Sequence, residues 1–101
     1  ARVFSTSPFL YLEVTPKAVF NRRKLEKALY ERYFRTAEWF RDLVKIEAVA
    51  RREAEKLGLG AMDALHLAAA HLAKADEFVT TEKPTRPIYR SELVRVVYLF
   101  A

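Results

Sequence analysis

Residues 60–72, GAMDALHLAAAHL, constrain the fold more than any other stretch. The segment is apolar on nearly every side, and a helix of that kind has to be buried against other elements rather than laid on a surface. The run Leu67-Ala68-Ala69-Ala70 predicts close packing, because small side chains let the helix approach a sheet. The rest of the chain must supply layers around it. The exceptions to the apolar pattern are Asp63, His66 and His71. A carboxylate in a first helical turn is stabilised by the exposed N–H groups and the macrodipole, so Asp63 taken alone reads as a capping acid.

The flanking sequence alternates between strand and helix patterns. Residues 2–6 form a short β-branched and aromatic run. Ser7-Pro8 then supplies an N-cap and a first-turn proline, which predicts a short helix over 9–14. Pro16, lacking an N–H, stops or kinks it. Over 21–35 the apolar positions Leu25, Ala28, Leu29, Tyr33 and Phe34 recur at helical spacing, with Arg22, Arg23, Lys24, Lys27 and Arg32 spread over the remainder. Residues 36–40 fit either a helical continuation or a short edge strand. A helix is predicted over 42–57, closed by Gly58 as a left-handed cap, and another over 61–74. Residues 77–80 (EFVT) read as a buried strand, 81–87 as a loop holding two of the four prolines, and 93–100 as a last strand. Short apolar strands alternating with helices predict an α/β layer structure with a mostly parallel sheet. Such sheets bind ligands where strand C-terminal ends meet helix N-termini.

Composition narrows the function classes. The 101 residues suffice for a single domain with one modest core. Lys and Arg number 18 against 13 Asp and Glu, a formal net charge of +5, and a positive surface favours anionic partners, nucleic acid first. There is no cysteine, which excludes disulfides and thiolate metal sites and suits a reducing cytoplasm. No apolar run approaches the roughly 20 residues that span a bilayer, so no membrane association is expected. No GxSxG elbow, P-loop or GxGxxG is present, and two glycines leave little for a phosphate-cradling loop.

Two further carboxylates give Asp63 company. Glu82 follows the strand over 77–80 and the pair Thr80-Thr81, at the edge where such sheets carry function. Glu13 lies between Leu10, Leu12 and Val14, neighbours that read as buried, where an acid is costly unless paired or bound to a cation. Three carboxylates on three elements, without cysteine, suit a hard cation such as Mg²⁺ or Mn²⁺ better than zinc. Such a cluster can activate water and neutralise charge on a phosphodiester. His66, one turn after Asp63, is expected to pack or support the site from behind, and His71 to lie at the surface or in the core.

The stretch KLGLGAMDALHLAAAHLAKADEFVTTEKPTRPIYR, together with SPFLYLEVTPKA, resembles the PIN-domain ribonucleases, which include the VapC-type toxins of toxin-antitoxin pairs. The resemblance implies a three-layer PIN-like fold with helices flanking the sheet. It also implies hydrolysis of single-stranded or loop RNA with Mg²⁺ or Mn²⁺, an antitoxin partner and a homodimer. Glu13, Asp63 and Glu82 correspond to the family's second, third and fourth acids, and Thr80 and Thr81 to the hydroxyl-bearing lead-in. Two departures stand out. The fourth acid is usually Asp, so the longer Glu82 would reach the metal directly or through water. The first acid, which ends the family's first strand, has no counterpart here, and a missing N-terminal segment is the expectation, ahead of an alignment that puts Ser5 in its place. Without that strand, unpaired edges and apolar faces should be exposed. RNA would be held by Arg22, Arg23, Lys24, Lys83, Arg86 and Arg90. The alternative is a catalytically inactive PIN-like module that binds RNA or another protein.

Overall fold

The structure, a computed structural model, describes residues 4–100. These residues form a mixed α/β arrangement of helices and short parallel strand pairs that divides after Arg41 into two compact units.

The first unit comprises β1 (Ser5–Thr6), α1 (Pro8–Phe20), α2 (Lys24–Thr36) and β2 (Glu38–Trp39). β1 and β2 pair in parallel, Ser5 with Glu38 and Thr6 with Trp39, so within residues 36–40 Thr36 ends α2 and Glu38–Trp39 form a short strand. Residues 2 and 3 of the strand predicted over 2–6 lie outside the described residues. Ser7 is the N-cap of α1, though its side chain makes no capping bond, and Pro8 takes the first helical position. The helix does not stop near Pro16 but runs through it to Phe20. Pro16 cannot donate to the Leu12 carbonyl, yet both residues lie on the exposed side, where water can satisfy that oxygen.

The inward stripe of α1 is Tyr11, Thr15 and Ala18, at spacing i, i+4, i+7. Tyr11 meets Phe34 edge-on at 5.0 Å and lies 6.0 Å from Trp39. On α2 the buried face is carried by Phe34 and half-buried Tyr30 and Tyr33, whereas Leu25 (75% exposed) and Leu29 (58%) face solvent. The expected leucine stripe is displaced because aromatic rings bury more area and stack on Tyr11 and Trp39. Trp39 Nε1 donates to the Phe34 carbonyl at 2.7 Å, and the Tyr33 hydroxyl donates to that of Ser5 at 3.0 Å. Burial pushes the Tyr33 phenol above its ordinary value, partly offset by the neighbouring Thr6 hydroxyl.

The second unit comprises α3 (Leu43–Leu57), α4 (Ala61–Leu72), β3 (Glu77–Thr80), a 3-10 helix (Pro87–Arg90) and β4 (Arg95–Tyr98). Asp42 caps α3 by accepting from the Lys45 N–H at 3.1 Å. Gly58, at φ 70°, closes it in the left-handed conformation that glycine adopts without a Cβ penalty. α3 presents Ile46, Ala50 and Glu53 inward, and α4 presents Ala64, Leu67, Ala68 and Ala69. The alanine face packs mainly on α3 rather than on the strands, since two helices with small facing residues can approach most closely. Leu67 is fully buried with Ile88 and Val94, and Phe78, Tyr89 and Val96 close around them.

β3 and β4 pair in parallel from Glu77–Arg95 to Thr80–Tyr98. β3 is half-covered rather than buried. Phe78 and Thr80 turn toward the core, while Glu77 and Val79 are exposed, with Glu77 paired to Arg95 at 3.7 Å. Exposed large apolar residues include Phe4, Leu12, Phe20, Leu25 and Leu29 in the first unit and Leu43, Val44, Val79, Leu99 and Phe100 in the second. Among the described residues no helix is long and apolar enough to cross a membrane.

Candidate functional site

The second unit gathers candidate groups at one end of its strand pair. Residues 73–76 turn the chain from α4 into β3, and a helix followed through so short a turn by its strand packs antiparallel to it in an α/β layer, which sets the start of α4 toward the end of β3. The imidazole of His66 stacks on Phe78, ring centroids 6.4 Å apart. From that anchor Asp63 lies about 4.5 Å further along the helix axis. Thr80 lies about 6.6 Å further along the strand, toward the same edge. Asp63 is half-buried in the first turn of α4, where the helix macrodipole favours its charge.

Glu82 follows β3 by two residues and is held by three contacts. Its N–H donates to Thr80 Oγ1 at 3.1 Å, its carbonyl accepts from the Tyr89 hydroxyl at 2.5 Å, and its Oε2 accepts from Arg86 Nε at 3.1 Å. Thr80 thus shapes the turn that presents Glu82, while Thr81 lies exposed beside it. Burial, followed by repulsion from Tyr98 and Glu82, pushes the Tyr89 phenol above its ordinary value and keeps it a donor. Thr81, Glu82, Lys83, Thr85 and Arg86 line an open cleft of about 500 Å³. Arg90, at the end of the 3-10 helix, is exposed.

Glu13 lies in the first unit, on α1, and it is exposed rather than set among buried neighbours, because Leu12 beside it is 66% exposed. It borders an open hollow of about 320 Å³ with Lys17, Asn21, Arg23, Glu26 and Tyr30. Arg23 is paired with Glu26 at 3.2 Å. Arg22 adopts a positive φ of 54° in the turn before α2, and Lys24 begins that helix. Among the described residues no group of three or more His, Asp or Glu side chains is assembled so as to hold a metal ion. Within the second unit the acids singled out by the sequence are Asp63, in the first turn of α4, and Glu82, two residues past β3.

Several contributors escape the sequence pattern. Glu53, 6% exposed on α3, accepts a short hydrogen bond from the Ser91 hydroxyl. That hydroxyl in turn accepts from the Leu93 N–H at 3.2 Å. His71 places Nδ1 2.9 Å from the Leu93 carbonyl. Together α3 and α4 fix the segment that leads into β4. The signal for Glu53 was its place seven residues after Ile46 and three after Ala50, on the buried stripe. Comparison of the chain with models of protein families, with curated proteins and with solved structures finds no match in any of the three.

Proposed function

We propose that the protein is a divalent-metal-dependent endoribonuclease of PIN type, acting on single-stranded or loop RNA. What supports this reading is Asp63 in the first turn of α4 and Glu82 two residues past β3 within one unit, where His66 of α4 stacks on Phe78 of β3 and Lys83 and Arg86 line a cleft with Glu82. Carboxylates in the first turn of a helix and just past a strand end are hard oxygen donors, and they fit Mg²⁺ or Mn²⁺. Asp63 and Glu82 would hold the metal in the second unit; Glu13, on α1 of the first unit, is a candidate through the family resemblance alone. A bound cation supplies water activation and charge neutralisation at the phosphodiester.

The chain's own groups do the positioning. Thr80 and Tyr89 fix the backbone of Glu82 from both sides. Lys83 and Arg86 are placed to bind RNA phosphates, and His66 packs on Phe78 behind Asp63. An antitoxin partner, a homodimer and a cytoplasmic location follow from the same resemblance and belong to the same proposal.

A second reading is favoured by one contact. Arg86 already engages the Glu82 carboxylate, an arrangement equally suited to a catalytically inactive PIN-like module that binds RNA or protein. Incubating single-stranded RNA with the protein and Mn²⁺ separates the two. The nuclease reading expects cleavage that EDTA stops and that falls at least 100-fold in Asp63→Ala. Cleavage that survives EDTA or the substitution would sink it.

A further inference from the structure

The C-terminal end of β4 carries aromatic residues that neither the fold nor the proposed metal site uses. Tyr98 pairs in register with Thr80, and the ladder extends one step further through the Leu99 N–H to the Thr80 carbonyl at 2.9 Å. The chain at 98–100 therefore runs alongside the segment leading into Glu82. Tyr98 belongs to the same face of the strand pair as Val96, Phe78 and Thr80, the face on which Leu67 of α4 packs. Phe100 meets Tyr98 edge-on, ring centroids 5.8 Å apart at 85°, and is 69% exposed. Tyr89, tied to the Glu82 carbonyl, belongs to the same end.

An exposed phenyl ring held against a second ring is poorly solvated by water and well suited to a flat π-system. Lys83 and Arg86 line a cleft with Glu82, in the loop that begins where the Leu99 N–H bonds the Thr80 carbonyl. A ligand that offers a flat apolar ring and an anionic group a few ångströms away complements both features. That is the repeating unit of a single-stranded nucleic acid, for which aromatic platforms take the bases and cationic grooves the backbone. A duplex hides its base faces and could not use the ring.

We propose that Phe100, braced by Tyr98, forms a nucleobase-stacking subsite whose nucleotide places its phosphate against Lys83 and Arg86, next to Asp63 and Glu82. This rests on the RNA reading of the same site and sharpens it: the nucleotide adjoining the bound phosphate is unpaired and held through its base face. Recognition through a π-face tolerates any base, so discrimination among base identities should be weak while discrimination against duplex should be strong.

The test is fluorescence polarisation of the whole chain with a labelled ten-nucleotide oligouridine in EDTA, which prevents cleavage, at low salt. Phe100→Ala should weaken binding about 5- to 30-fold and Phe100→Trp should restore it, in line with the loss and return of one stacked base. An oligomer abasic at its central positions should bind the wild type more weakly and lose its sensitivity to Phe100→Ala. Circular dichroism and thermal melts should leave both variants folded, because the ring is largely in water. If wild type binds oligouridine and Phe100→Ala binds it equally well, the stacking subsite is wrong while the RNA reading stands. If Phe100→Ala weakens the abasic oligomer as much, the ring acts other than by stacking, which overturns the proposal. If the wild type binds neither single-stranded nor duplex RNA, both the subsite and the RNA reading fall, and the exposed rings are left to a protein partner.

Discussion

Replacing Arg86 by Gln separates two roles that the structure overlays on one carboxylate. Arg86 Nε lies 3.1 Å from Glu82 Oε2, with the two side chains 64% and 37% exposed. An ion pair this exposed contributes ~0.2–1 kcal/mol. A cation that uses Glu82 must forgo that contribution, and it must also accept a guanidinium nearby. At a separation of about 4 Å in bulk water unit charges interact by ~1 kcal/mol and a divalent cation with a guanidinium by about twice that, reduced to ~1 kcal/mol by salt screening. Arg86→Gln removes both penalties, a sum of ~1–2 kcal/mol, which corresponds to Mn²⁺ binding about 5- to 30-fold tighter. The same substitution deletes a phosphate contact. RNA binding in EDTA should weaken, and the slope of log affinity against log salt should fall by about 0.7. Isothermal titration with Mn²⁺ and polarisation with oligouridine read the two effects separately. Mn²⁺ affinity that is unchanged or lower in Arg86→Gln would refute Glu82 as a metal ligand, whatever happens to RNA.

Two other predictions concern the framework. Ser91→Ala leaves the buried Glu53 carboxylate without its hydroxyl donor and should cost ~1.5–3 kcal/mol in urea unfolding, Glu53→Ala leaves the half-buried Ser91 hydroxyl bonded to the Leu93 N–H and should cost ~0.5–1.5 kcal/mol, and the double mutant should cost clearly less than their sum. Equal additivity would show that the Glu53–Ser91 bond does not hold the segment leading into β4. Tyr33 has its phenol pKa raised by burial, so the folded state keeps a proton that the unfolded chain releases near pH 10. Its contribution is fully present below the unfolded value and is lost as pH rises through the folded one. Urea midpoints should therefore fall from pH 9 to 11, and Tyr33→Phe should flatten that decline at the expense of the hydrogen bond to Ser5.

Periodicity located the elements better than it located their buried faces. The helix starting near Asp42, its Gly58 close and the existence of the strand over 77–80 are legible because such signals are local. The face of α2 is not local. Leu25 and Leu29 have the spacing of a core stripe, and what decides against them is that Tyr11 and Trp39, from elsewhere in the chain, offer rings to Phe34. Pro16 misleads for a related reason. Its missing N–H is tolerated more easily where the freed carbonyl can reach water, and exposure on α1 is set by the rest of the unit. The alanine run was read correctly as a close-packing face, but no pattern within it says whether a sheet or a helix lies opposite.

The site shows the same limit in sharper form. Asp63 stands out in sequence because one acid interrupts an apolar helix, and Glu82 because it follows a strand. Neither fact contains the Arg86 and Tyr89 contacts, which depend on how residues 81–90 curl back upon themselves. Yet Glu82, Arg86 and Tyr89 are spaced by four and three residues, the separation at which one helical turn brings side chains together, although only 87–90 is helical, and of 3-10 type. The loop reaches a comparable approach because Thr80 bonds the Glu82 N–H at its start and the 3-10 helix turns Tyr89 inward at its end. A side chain placed by such a closed loop is held more firmly than one on a free strand end. The position of Glu82 therefore depends on Thr80 and Tyr89 as much as on β3, and a charge that arrives beside it meets Arg86 as a contact on the carboxylate that must give way.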